Sequence, residues 1–92
     1  MTELQRRRVE FVVGTARASG YRATVTHEAR DRREGTRVRI EGPSKYGTAF
    51  GSYEEWGVAP NGMVAFVGMS QTASSREMRR DLGLLLRLAK EY

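Results

Sequence analysis

The chain has 92 residues, enough for one domain and too few for two separate cores. It has no cysteine and one histidine, His27, which excludes disulfides, thiolate zinc sites, iron–sulfur clusters, cysteine nucleophiles and multi-histidine metal sites. Sixteen basic against eleven acidic residues give a net charge of +5, and fourteen of the sixteen are arginine, Lys45 and Lys90 being the two lysines.

The first element is a helix. Thr2 and Gln5 have capping-box spacing, and Glu3 suits a positive helix N-terminus. Leu4, Val9, Val12, Val13 and Ala16 recur at mostly helical spacing, Phe11 adds apolar surface, and Gly20 is placed to end the helix. Tyr21 to Glu28 then alternates, with Tyr21, Ala23, Val25 and His27 on one side, which predicts a strand. A polar connection, 29–35, leads to a second strand, 36–41, with Val38 and Ile40 inward and Arg37, Arg39 and Glu41 outward. The two strands read as a hairpin with one solvated face.

Gly42-Pro43-Ser44 punctuates the chain, and a third strand is expected around Thr48–Tyr53, continuing irregularly towards Val58. Pro60-Asn61-Gly62 is a turn signal, proline fitting early in the turn and Asn-Gly tolerating positive φ. Met63 to Met69 is apolar on both faces, as a central strand would be. Ser74 with Glu77 has capping-box spacing before a last helix, whose stripe is Met78, Leu82, Leu85, Ala89 and Tyr92. The whole reads as an α+β two-layer sandwich of α-β-β-(β)-β-α order, an antiparallel sheet of three or four strands with both helices on one face. The chain is read as one compact domain, with 43–60 an irregular segment rich in aromatics and glycine.

Three arginine clusters stand out: Arg6, Arg7 and Arg8 on the first helix, Arg30, Arg32 and Arg33 in the first hairpin connection, and Arg76, Arg79 and Arg80 opening the last helix. Residues 1–42 carry +4, residues 43–73 carry −1 and residues 74–92 carry +2. Arginine forks onto phosphate and carboxylate, so these clusters suit nucleic acid or an acidic protein partner. Codon usage in a GC-rich genome gives the same arginine bias without a functional cause. The element order and the places of the three clusters resemble the double-stranded RNA-binding domain, whose contacts come from its first helix, first hairpin loop and second helix start. The resemblance is one of order and charge. The lysine-rich signature of that family is absent, because Ser75-Arg76-Glu77-Met78-Arg79-Arg80 holds an acid, and residues 43–60 are additional.

A second constellation, Tyr46, Phe50, Tyr53 and Trp56, is interleaved with Gly47, Gly51 and Gly57. With Val64 and Phe66 it reads as core plus a self-association or partner interface, where aromatics are enriched. His27 beside Glu28 is the one hint of acid–base chemistry, with no partner or pocket at motif spacing. Glu54 and Glu55, adjacent on a strand, point to opposite faces and make no carboxylate pair.

No catalytic residue, metal or cofactor is therefore expected, and no small-molecule substrate. The longest apolar or glycine run, 62–69, is far short of the roughly 20 residues that span a bilayer, and Glu10 breaks the apolar run after Arg6–Arg8 that a signal peptide would need. The expectation is a cytoplasmic, non-enzymatic interaction or regulatory module that self-associates through a sheet face. A nucleic-acid-binding module using the arginine clusters is the alternative.

Overall fold

The computed structural model of the chain describes residues 1–42, 52–70, 78–83 and 87. Helix α1 runs over Glu3–Ala18, and strands β1 Arg22–His27, β2 Thr36–Glu41, β3 Tyr53–Val58 and β4 Val64–Met69 follow. Helical residues at 78–83 and at 87, labelled α2, complete the α+β order. The expected Ser74 cap lies outside the described residues.

Local chemistry fixes both ends of α1. Thr2 Oγ1 accepts from the Gln5 amide at 3.1 Å and Gln5 Oε1 accepts from the Thr2 amide at 3.2 Å, a complete capping box. At the other end Gly20 adopts φ +86°, and the Gly20 and Tyr21 amides reach back to the carbonyls of Arg17 and Ala16. That double bond pattern is a Schellman motif, and its left-handed residue costs least as glycine. The helix buries Gln5, Val9, Val12 and Ala16 at spacings of four, three and four. Leu4, expected in the apolar stripe, is 44% exposed because it lies at the margin of this face.

The four strands form one antiparallel sheet in the order β1-β2-β3-β4, so each strand pairs with its neighbours in sequence. One face carries the rows Ala23–Ile40–Glu54–Met69, Val25–Val38–Trp56–Phe66 and Thr36–Val58–Val64. Both helices pack on it. Val9, Val12 and Ala16 of α1 and Met78 and Leu82 of α2 join Val38, Ile40, Trp56 and Val58 in a single core. Tyr21 Oη donates to Asp81 Oδ2 at 3.0 Å, fastening α2 beside the start of β1.

The opposite face is charged. Arg39 lies 3.2 Å from Glu41 and 3.8 Å from Glu55, its guanidinium sits 4.1 Å from the centre of the Tyr53 ring, and Arg37 lies 3.9 Å from Glu55. These side chains neighbour one another along and across the strands, a charged pattern common on the outer face of an antiparallel sheet.

Three strand expectations are corrected. Residues 53–58, expected as the irregular continuation of a strand around Thr48–Tyr53, form the regular strand β3; residues 48–51 lie outside the described set. Its period was hidden because a buried acid, Glu54, takes an inward position beside Trp56 and Val58. β4, read as a central strand, is the last strand of the meander and lies at an edge. In β1, the register shifts between Val25 and His27, so His27 pairs with Arg37 on the charged face instead of following Ala23 inward. β4 also shifts register, between Trp56 and Glu55 of its partner, leaving Val67 as an extra residue. Both edge strands are thus bulged, a device that blunts pairing with further strands.

Candidate interaction surface

The β3–β4 connection builds the first wall of the site. Gly62 N donates to Ala59 O and Ala59 N to Met63 O, both at 2.8 Å, with Pro60 and Asn61 in the middle and Gly62 at φ +84°. That is a tight hairpin turn closed by a left-handed glycine, as the sequence suggests. Asn61 Oδ1 accepts from the Met63 amide at 3.0 Å. Leu4 of α1 packs so closely on this turn that a Cβ at position 62 would stand 2.7 Å from its Cγ.

Leu4 and Arg8 are one helical turn apart, on the margin of α1 that borders β4. Arg8, Asn61, Gly62, Met63, Val64, Ala65 and Phe66 line an open groove of about 540 Å³ between that margin and the edge strand. Met63 is 60% exposed, Phe66 39% and Val67 43%. With Leu4 they make up four of the five large apolar side chains exposed among the described residues, the fifth being Val25 on the far edge strand β1.

Behind the groove lies a buried carboxylate. Glu54 is fully buried, and its Oε2 accepts a 2.8 Å hydrogen bond from Trp56 Nε1. Arg79 of α2 brings Nη1 to 3.9 Å from the same oxygen, and its guanidinium lies 4.0 Å from the Phe66 ring centre and 5.5 Å from that of Trp56. The Trp56 and Phe66 rings meet edge to face at 5.5 Å. Burial pushes the Glu54 carboxyl above its ordinary range, and the Trp56 bond and Arg79 charge pull it back in part. Glu54 Oε1 has no hydrogen-bond partner among the described residues. Sequence reasoning set Glu54 aside with Glu55. The available signal was its inward parity with Trp56 and Val58, read from a correctly placed strand.

Of the expected interface residues, Trp56 at 5% and Val64 at 2% exposure belong to the core, because they face the helices. Phe66 shares their face and remains exposed at the edge, whereas Tyr53 lies on the opposite face beneath Arg39. These residues do not form one surface, and Tyr46 and Phe50 lie outside the described residues.

The arginine clusters also divide. Gln5 Nε2 donates to Glu34 O at 2.9 Å, placing the turn that holds Arg6, Arg7 and Arg8 beside the loop of Arg30, Arg32 and Arg33. Within that loop the acids serve the backbone: Asp31 Oδ1 accepts from the Arg33 and Glu34 amides, and Glu34 Oε2 from the Arg30 amide. Arg79 and Arg80 lie at the other end of the sheet, where Met78 approaches Gly42, just past β2. The six residues of β2 separate the two ends by about 20 Å at ~3.3 Å per residue. Arg79 is turned onto Phe66 and Glu54, and Arg76 lies outside the described residues.

His27 sits 3.4 Å from Glu34 on an exposed strand end, where neither lines the groove. Among the described residues no group of acids and histidine is placed to hold a metal ion, and no helix is long and apolar enough to cross a membrane. No family model, curated protein or solved structure matches the chain.

Proposed function

We propose that the chain is a protein-interaction module, not an enzyme, and that its contact surface is the groove between the Leu4–Arg8 margin of α1 and β4. The observation that carries this reading is the clustering of Leu4, Met63 and Phe66, all exposed, around a groove with an arginine at its wall. Apolar centres with arginine nearby are typical of protein contacts. That places the contact away from the flat sheet face, where Arg37 and Arg39 lie beside Glu41 and Glu55. Amide correlation spectra test it, recorded at rising protein concentration and with amphipathic peptides of acidic, neutral and basic character. Shifts clustered on Leu4, Arg8 and Met63–Phe66 are expected. Shifts confined to the charged sheet face, or none, would overturn it.

A second reading, nucleic-acid contact, draws support from the adjacency of Arg6–Arg8 to Arg30, Arg32 and Arg33. It requires oligonucleotide affinity that falls steeply with salt, roughly one power of salt per phosphate met.

A further inference from the structure

We propose that the groove takes an acidic, apolar peptide segment of a partner protein, a proposal that rests on the interaction reading above and names its occupant. Among the described residues the lining joins apolar surface from Met63, Val64 and Phe66 to the guanidinium of Arg8, and none of them is an acid. Phe66 in turn carries the guanidinium of Arg79, whose side chain stays 42% exposed while it neighbours Glu54. An entering segment therefore meets a cation at the α1 wall and another over Phe66, with apolar surface between them. Carboxylates on the segment match those forks in geometry and charge, and leucine or phenylalanine side chains cover Met63 and Phe66.

Charge also sorts the candidate occupants. The chain carries +5, so an acidic segment is drawn in at long range and a basic one is repelled. A second copy would bring the same excess of positive charge to the same arginines. The backbone narrows the mode of binding further. β4 keeps regular pairing from Val64 to Phe66 and is then interrupted by the extra residue Val67, so a long added strand has no continuous edge to follow. The segment is held by side chains in the groove more than by strand pairing.

The test uses the full chain and three fluorescein-labelled peptides of one length in which Leu and Phe alternate with Glu, Gln or Lys. The Glu peptide is expected to bind at least about tenfold tighter than the Lys peptide by anisotropy, about 1.4 kcal/mol. Its advantage should shrink as salt is raised. Arg8→Glu is expected to reverse the order of the Glu and Lys peptides. Met63→Asp changes an exposed side chain and should weaken the Glu peptide about tenfold with the fold intact, so the proposal stays testable even if Arg8→Glu fails to fold. Equal binding of the three peptides, with shifts still on the groove, overturns the acidic occupant and leaves the contact surface standing. Binding of none of them, with no shifts, removes both. An oligonucleotide that moves the groove resonances and displaces the Glu peptide overturns the proposal in favour of nucleic acid. Concentration-dependent dimerisation in light scattering that Met63→Asp abolishes overturns it in favour of a second copy.

Discussion

Glu54 and Trp56 stand two residues apart on the same face of β3, and the indole Nε1 of one donates to the carboxylate of the other at 2.8 Å. A carboxylate with no exposure is costly unless it is neutralised or hydrogen-bonded, and here the tryptophan that completes the core also supplies the donor.

Glu54 links stability to pH. Its folded carboxyl is raised above the ordinary value of 4.5, chiefly by burial. Between the two values the folded chain keeps a proton that the unfolded chain releases, so this contribution is full below 4.5 and is lost as pH rises through the raised value. Glu54→Gln keeps an acceptor for Trp56 and removes the titration. Denaturant midpoints across this window should be flatter for the variant than for wild type, with the variant equal at acid pH and more stable at neutral pH. A variant that declines with pH as steeply as wild type assigns the loss to another group.

Trp56→Phe removes the donor and leaves the Glu54 oxygen unpaired in the core. The expected loss is about 1–3 kcal/mol at neutral pH, read by circular dichroism in denaturant. The same substitution should cost less in a Glu54→Leu background, where no carboxylate is left to orphan. Equal costs in both backgrounds would mean that the ring's volume, and not its hydrogen bond, is what matters.

Gln5 joins three parts of the chain: its side-chain amide donates to Glu34 O at 2.9 Å and to Val58 O at 2.8 Å, and its Oε1 accepts from the Thr2 amide. Gln5→Glu keeps the cap and turns the double donor into an oxygen facing two carbonyls. It should destabilise by about 2 kcal/mol or more at neutral pH and recover part of this in acid, where the protonated carboxyl again donates. Thermal unfolding at the two pH values checks this, and a pH-independent loss counts against it.

Gly62→Ala meets two obstacles, a backbone at φ +84° and the Leu4 side chain. The backbone term is the larger, about 1–2 kcal/mol, because the Leu4 tip is exposed and can swing away. Adding Leu4→Ala should therefore restore little. Full recovery in the double variant would show that the contact governs.

Much of the fold was legible because local signals agreed with tertiary needs: the Thr2–Gln5 box, Gly20, the alternation in β2 and the Pro60-Asn61-Gly62 turn each appear where expected. The site was less legible. Glu54 looks like a surface acid until its partners across the sheet, Ile40 and Met69, are known. The apolar β4 reads as central, since sequence alone does not reveal that the meander ends there. His27 changes face through a bulge that leaves no compositional mark.

Sheet neighbours here are also chain neighbours, so every pairing in the sheet joins consecutive strands. The bonds from Thr2 Oγ1 to Pro60 O and from Gln5 Nε2 to Val58 O are exceptions, bridging 58 and 53 positions. They need the end of β3 and the residues just past it in place, so the start of α1 is fastened late. Substitutions at Gln5 should accordingly speed unfolding while leaving refolding rates nearly unchanged, whereas substitutions at Val38, inside the first hairpin, should slow refolding.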